Sequence, residues 1–317
     1  MKRPLIILTG PTAVGKTKAS IGLAKAVDGE IISADSMQVY RDMDIGSAKI
    51  TVREMDGVKH HLVDVLEPEE DFNVVKFQSL AVQAMEEIYA RSRIPIIVGG
   101  TGFYIQSVLY DIDFTENDGD MTFRRELEHI AGTKGPGYLH DMLRAADPES
   151  AEELHPNNIK RVIRALEFYR QTGKKISEHN RKEREKESPY RYAYFVLTDD
   201  RERLYERIDK RVDLMMEAGL KEEVASLRER GVQRTSTSMQ GLGYKELYAY
   251  LEGECSLAEA VRIIKRDTRH FAKRQLTWFK RERDVIWLDK GKFSGEAAIL
   301  AEMLRHLKEK GIWQPER

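Results

Sequence analysis

The chain has 317 residues, 41% hydrophobic and 33% charged, with 52 Lys and Arg against 53 Asp and Glu. That length supports one large or two modest domains with a substantial core, while a formal net charge of −1 argues neither for nor against a polyanionic partner. No apolar run approaches a membrane span, and the single Cys255 excludes an internal disulfide or a multi-cysteine zinc site, so a reducing, cytoplasmic setting with no membrane association is expected.

In chain order, Leu5–Thr9 is a short apolar run between Pro4 and Gly10 and predicts a buried parallel strand rather than a signal segment. Helical spacing follows over 18–27, then a second strand at 30–34 and a possible third at 61–66. A long helix is predicted over 72–91, and a strand over 94–98 that ends in Gly99-Gly100-Thr101-Gly102. Strands alternating with helices indicate a doubly wound parallel sheet with helices on both faces. Residues 114–188 carry no convincing strand and read as short charged helices, with breaks at 132–137, 147–148 and 155–156. Strand character returns at 192–197. Helices are predicted over 201–219, 221–230 and 257–281, with a last strand at 285–288. A helical insertion, residues 114–189, within a catalytic core of 1–113 and 190–317 accounts for this order.

Gly10-Pro11-Thr12-Ala13-Val14-Gly15-Lys16-Thr17 fits G-x-x-x-x-G-K-[ST] in full. Its glycines let backbone N–H groups wrap a phosphate, and the helix that follows points its positive end at the anion. Lys16 supplies charge to the terminal phosphate, and Thr17 is placed to ligate Mg²⁺. Asp35 ends the second strand, at the sheet edge where α/β folds bind ligands. A carboxylate there can bind metal, bind substrate or take a proton; the plainer reading is a turn or cap residue.

Basic residues concentrate in 160–191 and again in 262–283. Arg262, Arg266, Arg269, Lys273 and Lys280 recur at helical spacing and predict a face for RNA phosphates or a merely solvated one. Arg164 is read as serving either RNA or an internal ion pair. His60 and His61 are adjacent on a predicted strand, so they point oppositely and do not form a metal pair.

The P-loop is joined by Asp35-Ser36-Met37-Gln38-Val39-Tyr40, by Gly99–Tyr104, by Lys160-Arg161-Val-Ile-Arg164, by Gly241-Leu-Gly-Tyr-Lys-Glu246 and by Thr268–Trp278. This ordered set resembles the bacterial tRNA dimethylallyltransferases, also called tRNA isopentenyltransferases, from Leu5 to about Leu288. The resemblance implies a P-loop kinase-like α/β core with an all-helical insertion. It also implies transfer of a dimethylallyl group from dimethylallyl diphosphate to N6 of adenosine 37 in the tRNA anticodon stem-loop, with Mg²⁺, by a cytoplasmic monomer. Residues 10–17 would hold the diphosphate, and Asp35 would take the N6 proton. Gln38 would read the adenine, Ser36 and Met37 beside it would contact the tRNA, and Thr101 would sit by the base or diphosphate. Lys160, Arg161 and Arg274 would contact tRNA. Arg211 would complete the diphosphate clamp, with Arg207, one helical turn away, as the alternative. The Asn158-Ile159-Lys160 stretch departs from the Pro-Gln or Pro-Arg of many relatives. An adenylate isopentenyltransferase and a P-loop small-molecule kinase are the rival readings.

Overall fold

A computed structural model describes residues 2–114 and 121–315. The elements are β1 (Arg3–Thr9), α1 (Lys16–Val27), β2 (Gly29–Ala34), α2 (Val52–Met55), β3 (His60–His61), α3 (Val74–Ala90), β4 (Ile94–Gly99) and α4 (Gly102–Leu109). There follow α5 (Met121–Ala146), α6 (Pro148–Glu153), α7 (Ile159–Thr172), α8 (Ile176–Glu185), β5 (Tyr190–Thr198), α9 (Arg201–Glu217) and α10 (Leu220–Glu229). The chain continues through α11 (Tyr244–Leu251), α12 (Leu257–Phe279), β6 (Val285–Asp289) and α13 (Glu296–Glu309).

The six strands form one parallel sheet in the order β3-β2-β4-β1-β5-β6. Side chains alternate across it. Ile6, Leu8, Ile31, Ile96, Phe195 and Leu197 share one core with Leu23 of α1 and with Ile299, Met303 and Leu307 of α13. The alternate residues Leu5, Ile7, Ile32, Ile97, Tyr194 and Val196 are equally buried. Both faces are therefore covered, which is why these strands read as unbroken apolar runs rather than alternating ones.

Two compact units make up the chain, Met1–Leu109 with Pro189–Arg317, and Tyr110–Ser188. In the second unit α5, α7 and their neighbours close on Leu127, Leu139, Leu143, Val162, Ile163 and Leu166. Asp147 fastens it. Its buried carboxylate caps α6 through the N–H and hydroxyl of Ser150, and it also accepts the N–H and hydroxyl of Ser177 in α8.

One expectation needs correction. The third strand is only His60–His61, because Leu62 and Asp64 adopt φ of 62° and 54°, which an extended run cannot hold; Leu66 returns as a lone bridge to Tyr40. In the second unit the break expected over 132–137 is present: Gly135 (φ 84°, ψ 162°), before Pro136, kinks the Met121–Ala146 segment into two helical pieces.

Candidate active site

The strand ends bring the site together. β1 runs into Gly10, β2 into Asp35, β4 into Gly100 and β5 towards Asp199, all at the carboxyl edge of the sheet. Here a cleft of about 370 Å³ is lined by Thr12, Ala13, Gly15, Lys16, Thr17, Asp35, Gln38, Ser47, Ala48, Gly100, Arg207, Lys210, Arg211, Leu214, Phe271 and Gln275.

The loop has the shape its glycines require. Gly10 has φ 147°, and a Cβ there would lie 2.4 Å from the Leu197 carbonyl oxygen. Gly15, at φ 99°, precedes α1 and offers no side-chain cap, so the first-turn N–H groups face the loop with the positive helix end behind them. The Lys16 ammonium folds back on the loop and donates to the carbonyls of Gly10 and Pro11, both at 2.9 Å. Burial pushes it down to about 8; the Asp35 carboxylate opposes that shift and Arg211 adds to it. Thr17 is exposed beside it. Thr12 is less available than its place in the motif suggests, because its N–H donates to Gln275 Oε1 at 2.9 Å. The other end of that amide donates to the Gly100 carbonyl at 3.0 Å, so buried Gln275 of α12 clamps the loop to the end of β4.

Asp35 is a turn residue that also lines the cleft. Its Oδ1 accepts the N–H of Met37 at 2.8 Å and, more weakly, that of Gln38 at 3.4 Å, as a turn residue does, while its side chain lines the cleft. Gln38 also lines the cleft. Its Oε1 accepts the Ser33 hydroxyl at 3.1 Å, and its Nε2 leans on the carbonyls of Ala48 and Ser47 at 3.3 and 3.5 Å. Those contacts orient the amide and leave its oxygen one acceptor position.

The two candidate arginines of α9 separate cleanly. Arg207 pairs with the Asp199 carboxylate at 2.6 Å. Arg211 makes no ion pair among the described residues. Burial draws its guanidinium below the ordinary value against the pull of Asp35 and Glu54. The cation facing Asp35 and Lys16 across the cleft is thus Arg211.

Other predicted positions lie elsewhere. Ser36, Met37 and Thr101 are not among the lining residues; Thr101 opens α4, its carbonyl accepting the N–H groups of Tyr104 and Ile105. Arg274 lines a separate depression of about 420 Å³ along α12, with His270, Lys273, Thr277, Trp278 and Arg281. In the second unit Lys160 and Arg161 are exposed at the start of α7, as is Arg164, and none of the three has an ion-pair partner among the described residues. Along the expected basic stripe of α12, Arg262 pairs with Glu259, Arg266 with Asp267 and Arg269 with Asp209. These carboxylates neutralise its first half and leave its uncompensated charge near the depression. His61 pairs with Glu30, and no cluster of three or more metal-ligating side chains occurs among the described residues.

Sequence reasoning did not single out Gln275 or Lys290, whose Nζ donates to the Val14 carbonyl at 3.1 Å. Gln275 lay inside a quoted motif, but an amide on a helix gives no sign of which distant backbone it will clamp.

Fold and cleft together define a P-loop α/β protein with a cationic cleft that includes a carboxylate. The IPP transferase family model matches residues 38–282, and that of the isopentenyl transferases matches 3–68. The chain belongs to the IPP transferase family. It is 66% identical to the tRNA dimethylallyltransferase of Lachnoclostridium phytofermentans, over 98% of this chain and 99% of that one. The solved full-length tRNA isopentenylpyrophosphate transferase of Bacillus halodurans superposes with a TM-score of 0.73 at 45% identity, over 98% of each chain. A eukaryotic dimethylallyltransferase acting on tRNA gives 0.83 at 30% identity, over 99% of this chain and 81% of that one.

Proposed function

We propose that this chain transfers the dimethylallyl group of dimethylallyl diphosphate to N6 of adenosine 37 in tRNA, releasing pyrophosphate. The observation that carries the reading is the sharing of one cleft by P-loop residues Thr12, Ala13, Gly15, Lys16 and Thr17 with Arg211 and the carboxylate of Asp35. The exocyclic amine of adenine is a weak nucleophile. It attacks the allylic carbon, the carbon–oxygen bond to the diphosphate breaks, and the electron pair leaves with pyrophosphate. Asp35 takes the N6 proton as the new C–N bond forms. The loop N–H groups, Lys16 and Arg211 hold the charge that develops on the leaving group, so the P-loop serves a leaving group rather than a transferred phosphoryl.

The Thr17 hydroxyl is a hard oxygen donor that fits Mg²⁺, too little by itself to bind the ion without a substrate diphosphate. When bound, Mg²⁺ would neutralise diphosphate charge. The adenosine enters extruded from the anticodon loop, and the free side of the Gln38 amide meets its edge. Lys160 and Arg161, with Arg274, hold the tRNA backbone.

Labelled dimethylallyl diphosphate incubated with bulk tRNA, or with AMP, tests the reading. Label in tRNA with pyrophosphate released only when tRNA is present is expected. Label in AMP, or brisk ATP turnover, would sink it.

A further inference from the structure

Residues 43–49 form a loop that contributes Ser47 and Ala48 to the cleft wall, and the carbonyls of those two residues hold the Gln38 amide. No strand or long helix supports this loop. Buried Met43, the Ser47 hydroxyl bond to the Met43 carbonyl and the Lys49 ammonium on Asp44, Asp64 and the Tyr40 carbonyl anchor its ends, while its middle is held by one carboxylate. Oε2 of Glu223, on α10, accepts the N–H groups of Asp44 and Ile45 at 2.9 and 2.7 Å; Oε1 accepts the N–H of Gly46 at 3.1 Å and the hydroxyl of Tyr244 at 2.7 Å. Three successive backbone N–H groups converging on one anion make a nest, here filled from within the fold.

Tyr244 closes the arrangement from the other side. It is fully buried at the start of α11, and a Cβ on Gly46 would lie 2.5 to 2.8 Å from its ring and hydroxyl. Burial and the neighbouring Glu223 carboxylate hold its phenol protonated, far above the ordinary range, so it stays a donor. Glu246 fixes the turn before α11 by accepting the Gly243 N–H at 2.8 Å. The Gly241–Glu246 motif thereby acquires a task in the cleft without lining it.

We infer that Glu223, seconded by Tyr244, is a positioning residue for the base side of the reaction: it fixes the 44–48 loop, and through Ser47 and Ala48 the orientation of Gln38 towards the adenine. The inference rests on the functional reading above. It predicts a division of effects. The P-loop, Lys16 and Arg211 make no contact with this network among the described hydrogen bonds, so diphosphate binding is left intact while transfer suffers.

The test compares wild type with Glu223→Gln, Glu223→Ala and Tyr244→Phe. Glutamine keeps the shape but turns one acceptor into a donor facing N–H groups; Tyr244→Phe keeps the carboxylate and removes one donor. Transfer to an anticodon stem-loop is measured as kcat/KM, and dimethylallyl diphosphate affinity separately. Loss on the order of 10- to 100-fold in kcat/KM is expected for Glu223→Ala, less for Glu223→Gln and least for Tyr244→Phe, with diphosphate affinity near wild type in each. Should Glu223→Ala fail to fold, as read from its circular dichroism, the other two carry the test. Transfer at the wild-type rate in both of them, or diphosphate affinity falling in step with transfer, would overturn the inference. A wild-type protein that does not label the stem-loop would instead refute the functional reading.

Discussion

Lys16 carries two loads that can be pulled apart by pH. In the free protein its ammonium is held at about 8 by burial. A bound diphosphate supplies negative charge and raises it again, so at pH 8 and above binding must take up a proton. Diphosphate affinity is expected to fall as pH rises past 8. Calorimetric titrations in buffers of different ionisation enthalpy would reveal the uptake, and an affinity flat from pH 7 to 9.5 would contradict it. Asp35 poses the complementary question, because its carboxylate also holds the Met37 N–H. Asparagine keeps that acceptor and removes the base. Both Asp35→Asn and Asp35→Ala are expected to slow single-turnover transfer by roughly 10²-fold or more while tRNA affinity changes less. Transfer at the wild-type rate in Asp35→Asn would reduce Asp35 to a turn residue. The phosphate grip was legible because its residues are contiguous. Gln275 and Glu223 were not, since each acts on backbone far away in sequence, and neither residue type advertises such a role.

Among the elements, β2 has a chemically distinct start and finish. Asp35 follows its carboxyl end, whereas Glu30 lies near the other, buried and ringed by Arg91, Arg93 and His61. Burial alone would raise Glu30, but the hydrogen bonds from Arg91, His61 and Arg93 prevail and hold it at about 2. A carboxylate lowered on folding stabilises above its unfolded range near 4.5 and loses that contribution as pH falls towards 2. Glu30→Gln is expected to cost about 2 to 3 kcal/mol at pH 7, a deficit that shrinks by about pH 3. Urea melts of both proteins across that range would check it; a constant difference would assign the loss to packing. The apolar strand runs were readable for the same reason that the sheet is stable, namely burial on both faces. The third strand was misjudged because alternation at 61–66 carries no mark of the positive φ at Leu62 and Asp64. The second-unit helices were readable from their Gly and Pro breaks, whereas α11 and α13 have weaker boundary signals and were not read.

For the whole molecule, a net charge of −1 cannot draw a polyanion, so any attraction must come from local, uncompensated cations. Pairing decides which cations count. Lys160 and Arg161 are exposed and unpaired among the described residues, whereas Arg262 is tied to Glu259. Binding to tRNA is expected to weaken with salt, and Lys160→Ala or Arg161→Ala should each flatten the logarithmic slope by about 1, with Arg262→Ala changing it little. Equal slopes for all would assign the attraction to other cations. The sheet order has a different consequence, one of timing. β1 lies at the centre and pairs on one side with β5, Arg3 opposite Tyr190. On a ribosome that partner arrives roughly 190 residues later, about 10 to 40 s at ordinary elongation rates. Through that interval one edge of this apolar strand stands open, its N–H and C=O groups unmatched, while the helices of residues 121–185 are made. The nascent chain therefore has a period of vulnerability to misassembly set by the length of its insertion, and a shorter insertion would shorten it.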